Sequence, residues 1–167
     1  LPYVRIIRKT IPQKSKLFLV TFDSKEYAIN TAEKNKIKQE LLNEGIKWIR
    51  FSYFPLSIKA IVFTLFSVIK LWAICIFQKI NFIHVWCTPA GTIGYILSIL
   101  TGKKLIIDSY EPHAEAMVET GTWEKNSLAY KILLLFEKLQ SKRAYAVIAT
   151  TSSMKLYALK KYNTRLN

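Results

Sequence analysis

Acidic residues are scarce in this chain: there are 11 Asp and Glu against 25 Lys and Arg, and Gly45 to Ile107 contains neither Asp nor Glu. Glycine is scarce too. The 5 glycines form no G-x-G-x-x-G and no G-x-x-x-x-G-K-[ST], so a dinucleotide fingerprint and a phosphate-binding loop are both excluded. No G-x-S-x-G turn is present to carry a serine nucleophile, and there is no kinase or zinc signature. The 2 cysteines, Cys75 and Cys87, lie in apolar runs without CxxC or Cys/His spacing. They point to a reducing, cytoplasmic compartment and away from a metal site. There are 2 histidines, His84 and His113. No internal repeat or low-complexity segment occurs. The chain opens with Leu1 inside what reads as an amphipathic helix, which predicts a fragment.

Hydrophobic residues make up 51% of the 167, enough for a sizeable core in one domain and too many for a disordered tail. The net charge of +14 suits an anionic partner, either nucleic acid or a membrane surface, or else a basic solvated surface. The lysines are scattered and no nucleic-acid-binding signature accompanies them, so no nucleic-acid partner is expected.

Taken in order, Pro2 to Lys9 predicts a short helix and Leu17 to Phe22 a strand. Asn30 to Glu44 reads as a helix stopped by Gly45, and Ile46 to Tyr53 as a strand ended by Pro55. Ser57 to Gln78 is the most apolar segment and is barely long enough to cross a bilayer. Lys70 interrupts it near the middle, where a lysine costs roughly 2.5–3.5 kcal/mol on insertion scales, so a helix packed on a sheet with one face touching lipid is the reading adopted. Phe82–Trp86, Lys104–Asp108 and Ala146–Thr150 read as three more strands. They alternate with helices from Pro89 to Gly102, His113 to Thr120 and Ser127 to Ala144, and a last helix capped by Ser152 or Ser153 runs to Tyr162. Apolar strands alternating with helices specify an α/β fold: a doubly wound, Rossmann-like parallel sheet of about five strands with helices on both faces.

In such sheets ligands bind beyond the carboxyl ends of the strands. Three ends carry polar residues: Cys87-Thr88-Pro89, Asp108-Ser109-Tyr110-Glu111, and Thr150 to Ser153. The turn at Thr88 is either an anion-facing helix start or an ordinary one with proline in its first turn. Asp108, Glu111, Glu115, Glu119 and Glu124 crowd around His113. His113 can act as a general acid or base or donate to a hydroxyl or phosphate, or can be a packing residue. If helical, Glu111, Glu115 and Glu119 would share a face and repel one another. Such a face either binds hydroxyl groups or is balanced by nearby lysines.

The order of these segments resembles a known family. From His84 it runs through a strand, Thr88-Pro89-Ala90-Gly91, Thr101-Gly102-Lys103-Lys104, an apolar strand ending in Asp108, an acidic loop and Gly121-Thr122-Trp123. Tyr130-Lys131, Phe136-Glu137-Lys138, Arg143-Ala144 and Val147 to Ser152 follow. This pattern is similar to the N-terminal, acceptor-side domain of the GT-B retaining glycosyltransferases, the glycosyl transferases group 1. The opening through Leu19-Val20-Thr21-Phe22 is similar to that family's first helix and second strand.

The resemblance implies a domain clipped at both ends. The family's first strand and glycine-rich loop would precede Leu1, and the donor-binding C-terminal domain would follow Asn167. It implies transfer of a hexosyl group from a nucleotide sugar to a sugar or lipid-linked acceptor with retention, in cell-surface polysaccharide or glycolipid synthesis. No cofactor and no metal are required, and the fragment alone would be inactive. Asp108 matches the acid that ends the corresponding strand, and acceptor contacts fall on Glu111, His113 and Glu115. Thr88 matches a small polar residue of the preceding loop, and Glu137 matches a glutamate expected to be structural. Two residues after that Asp the family often has His or Arg; here it is Tyr110. The implied location is cytoplasmic, peripheral at the inner face of an anionic membrane. The alternatives are a non-catalytic Rossmann-like module that binds a nucleotide or protein, and a small membrane protein anchored by Ser57 to Gln78.

Overall fold

Asn30 begins the first well-capped helix, its side chain accepting from the amide of Glu33 at 2.8 Å. Such local signals recur along the chain and generate an α/β architecture. A computed structural model describes residues 2–26, 29–54 and 57–166, so Pro55, read above as ending a strand, lies outside the described residues. Among the described residues the order is α1 (Pro2–Thr10), β1 (Leu17–Asp23), α2 (Thr31–Asn43), β2 (Ile46–Ser52), α3 (Ile58–Phe77), β3 (Phe82–Trp86), α4 (Cys87–Thr101), β4 (Lys104–Tyr110), α5 (His113–Glu119), α6 (Leu128–Arg143), β5 (Ala146–Ala149) and α7 (Ser153–Tyr162). Every strand pairing is parallel, as expected of a Rossmann-like fold. The strands pair in two sets, β1-β2 and β3-β4-β5. The chain divides between Ser67 and Val68 into two compact units, each holding one set.

In the first unit, Leu17 to Asp23 runs in register with Ile46 to Ser52. Val4 of α1, Leu41 of α2 and Ile46 of β2 form its buried core, with Leu17, Leu19, Ile37 and Trp48 packed around them. Burying each such side chain contributes roughly 1.5–3 kcal/mol. Arg5 ties α1 to α2 through Glu40 at 3.0 Å and Glu44 at 2.8 Å. Gly45, at φ 74°, ends α2 as predicted.

The helix α3 stands apart in character. It has a mean hydropathy of 2.3, yet only 22% of its apolar window is buried. Ser67, Val68, Leu71 and Cys75 are buried, while Ile58, Ile61, Val62, Leu65, Ile69 and Trp72 are exposed.

In the second unit α4 packs directly on the sheet, and two glycines permit the approach. A Cβ at Gly94 would sit 2.4 Å from Val85 Cγ1 and 3.1 Å from Leu105 Cδ1. A Cβ at Gly91 would sit 1.6 Å from Oε1 of the fully buried Gln140 on α6. Arg143 clamps the far end of the same helix pair, donating to Ser98 Oγ at 3.1 Å and to Ser98 O at 3.2 Å. Burial alternates along β3, with Ile83 and Val85 inside and Phe82 and Trp86 exposed. Along β4, Leu105, Ile107, Asp108 and Tyr110 are all buried.

Candidate functional site

Because β3, β4 and β5 are adjacent and parallel, their carboxyl ends open on one sheet edge. At the end of β3 the chain turns sharply into α4 through Cys87, which adopts φ 61°. A left-handed conformation is uncommon for a side chain other than glycine. It starts α4 two residues before Pro89, the predicted first residue, and puts Trp86 at the helix N-cap. Burial pushes the Cys87 thiol up; the Ala90 backbone opposes this and the charge of Glu111 reinforces it. A thiol held protonated is a poor nucleophile.

Thr88 does not face solvent. It is fully buried, its hydroxyl donates to Glu111 O at 3.3 Å, and its own carbonyl accepts from Gln140 Nε2 at 3.3 Å. The Thr88 side chain, expected to meet substrate, joins the β3–α4 turn to the loop after β4.

Asp108 is likewise 5% exposed, and its Oδ2 lies 3.1 Å from His84 Nε2. The pairing is diagonal, since Trp86 is the residue that lies opposite Asp108 in the ladder. Side chains two apart on a strand share a face, which is what lets His84 reach Asp108. Beyond Asp108 the pairing with β5 slips: Ile107 pairs with Val147 and Tyr110 with Ala149, so β4 carries an extra residue there. Such a bulge inverts the alternation that follows it. Tyr110 is carried to α6, where its hydroxyl lies 2.8 Å from Ser141 Oγ, and burial first of all pushes its phenol up to about 12.

Glu111 lies in the loop rather than on α5, so the expected face of Glu111, Glu115 and Glu119 on one helix does not form. Its carboxylate instead lies 3.3 Å from Nδ1 of His113, the first residue of α5. With side chains 41% and 20% exposed, Glu111 and His113 are the accessible pair at this edge. Glu115 is not unpaired either, because it binds Lys161 on α7. Burial pushes Glu115 up, but hydrogen bonds from Lys161 and Tyr157 and the charges of Lys161 and Lys125 outweigh it and leave the carboxyl below its ordinary value. Glu119, the last residue of α5, is exposed.

Beneath this edge sits a buried polar frame. Glu137 on α6, with no exposed surface, accepts from the amide of Ala114 at 2.8 Å and from the Tyr162 hydroxyl at 2.7 Å. Glu137 thereby locks the start of α5 and the end of α7 to α6, in keeping with the structural role implied for it. Burial pushes its carboxyl up against the lowering effect of those two hydrogen bonds and of His113. Burial also pushes Tyr162 up, and the neighbouring Glu137 charge reinforces it. At the third strand end, Thr151 Oγ1 and Ser153 Oγ lie 2.6 Å apart on the surface.

The edge therefore brings Asp108, Glu111 and His113 onto one strand and its loop, and sets Thr88 and Glu137 behind them. Two groups escaped sequence reasoning: His84, paired to Asp108 across a strand boundary, and Lys161, paired to Glu115 from far along the chain. Among the described residues no three His, Cys, Asp or Glu side chains are grouped to hold a metal ion. A groove in the first unit lined by Arg5, Arg8, Lys9, Glu40, Asn43 and Glu44 has its Arg5 charge already paired and carries no such chemistry. The β4 edge presents the hydrogen-bonding side chains of Glu111 and His113 at its surface. No protein-family model matches the sequence, and no curated protein matches it.

Proposed function

We propose that the chain is the acceptor-side domain of a retaining GT-B glycosyltransferase, with His113 and Glu111 meeting the acceptor hydroxyl beyond the carboxyl end of β4. The observation that carries this reading is the Glu111–His113 pair, accessible at 3.3 Å on the loop where a parallel α/β sheet holds its ligands. A carboxylate at Nδ1 orients the imidazole and favours the proton on that nitrogen. Nε2 is then free to accept from a hydroxyl. His84 and Asp108 form a second such pair at the same sheet edge, its carboxylate buried and suited to orienting the imidazole. The rate enhancement would come from holding the hydroxyl in line with the donor sugar and from stabilising the departing diphosphate, without a protein nucleophile. The donor nucleotide sugar would be held by a further domain, on this reading a separate part of a longer protein.

The chain's 2 histidines make a direct test simple. In imidazole NMR spectra of the chain, a sugar acceptor is expected to shift the His113 signals, and Glu111→Gln is expected to reduce that response. In the enzyme carrying both domains, His113→Ala is expected to lower turnover on the order of 100-fold, the usual scale for a positioned acid or base. Unmoved His113 signals together with wild-type turnover in His113→Ala would reject the assignment.

A further inference from the structure

We propose that α3 seats the protein on an anionic lipid bilayer, lying in the plane of the interface with its exposed stripe among the acyl chains. This inference is independent of the transferase reading. Ile58, Ile61, Val62, Leu65, Ile69 and Trp72 recur at helical spacing and fall on one face. Ile61, Leu65 and Ile69 remain 64%, 60% and 56% exposed, a large apolar cost for a surface facing only water. The helix is 20 residues long, so the stripe extends about 30 Å along its axis.

Charge names the occupant. Lys59 and Lys70 are about three turns apart and so share one flank of the stripe, where their stems can lie along the lipid and their ammonium groups reach the phosphates. Lys79 lies two residues beyond the helix, and no carboxylate occurs between Gly45 and Ile107 to repel an anionic headgroup. Aromatic residues stand at both ends, as interfacial segments favour. Phe54 and Phe63 meet with ring centroids 4.6 Å apart under Lys59, whose Nζ lies 4.7 Å from the Phe54 ring. Trp72 and Phe77 lie exposed toward the other end. A crossing helix fits less well: Lys70 falls near the middle, and Ser67, Val68, Leu71 and Cys75 along one side are covered by protein rather than open to lipid.

The test is flotation of the full chain with vesicles of phosphatidylcholine alone or with phosphatidylglycerol added. Binding is expected on the anionic vesicles only, weaker at high salt and fully released by alkaline carbonate. Neutralising Lys59→Gln or Lys70→Gln should weaken partitioning roughly fivefold each. Leu65→Ser with Ile69→Ser should abolish it while leaving the melting temperature in place, since both side chains are exposed. In the unmodified chain, brominated lipids should quench a component of the tryptophan emission that is lost in Trp72→Phe, a readout that does not depend on the serine variant folding. The proposal is overturned by failure to float, by equal binding to neutral vesicles, by unquenched Trp72, or by a protein dimer that Leu65→Ser dissociates in place of vesicle binding. Retention after carbonate would make α3 a span and overturn the in-plane arrangement.

Discussion

Glu137 shows how one buried side chain can set the geometry of a site it does not enter. Its two oxygens are committed to the Ala114 amide and the Tyr162 hydroxyl, so it holds α5 and α7 at once. Truncation to alanine strips both donors of their acceptor inside the protein, a loss of about 3 kcal/mol. The melting temperature of Glu137→Ala should therefore fall by roughly 6–12 °C. Titration gives a second check with a definite sign. A carboxyl whose pKa is raised on folding binds its proton more tightly in the native state. Its contribution is complete below the unfolded pKa, about 4.3, and is lost as pH rises through the raised folded value. Glu137→Gln mimics the protonated form, so its cost relative to the parent chain should shrink as pH rises over that window. A cost that grew with pH would mean that the ionised carboxylate is the stabilising form. Glu115 behaves in the opposite sense: its lowered pKa stabilises above the unfolded value and ceases to do so as pH falls. Its partner Lys161 is 38% exposed, so solvent keeps that contribution small.

The contact between α4 and α6 depends on having no side chain at Gly91. Alanine there would drive its Cβ into Oε1 of the fully buried Gln140, 1.6 Å away. Gly91→Ala should cost about 1–3 kcal/mol, the usual range for overpacking. Adding Gln140→Ala should recover part of that loss, and a thermodynamic cycle by denaturant melts would measure the coupling. Additive losses would show that the clash is relieved elsewhere. At this scale the sequence was informative where signals are local. Phe82–Trp86 formed the strand its apolar run predicts, and Gly45 and Ser127 mark helix ends as their chemistry requires. It was uninformative where partners are distant. Nothing near His84 announces Asp108, because their meeting depends on which strands are neighbours and in what register. The acidic comb was legible as composition but misleading as geometry. The helix begins only at His113, so Glu111 drops out of the face, and Lys161 neutralises Glu115 from a helix far along the chain.

For the whole molecule the dominant fact is charge. A net +14 on 167 residues means that most cations lack a carboxylate partner of their own. Self-repulsion of this kind opposes the compact state. Against it stand the pairs Arg5 with Glu40 and Glu44, Arg50 with Asp23, and Lys161 with Glu115. Those pairs are partly exposed, and exposed pairs contribute roughly 0–1 kcal/mol each. Salt weakens both terms, shortening the screening length from about 30 Å at 0.01 M to about 8 Å at 0.15 M. Repulsion among scattered lysines acts over the longer distances and is screened first, whereas ion pairs in contact lose less. The melting temperature should therefore rise as sodium chloride is raised across that range. The variant Glu115→Gln, which removes one acid and breaks its pair, should show a steeper rise than the parent. A melting temperature that falls with salt would mean that the ion pairs outweigh the repulsion among the excess cations. The same screening weakens attraction to an anionic bilayer, so stability and lipid binding should move in opposite directions as salt increases.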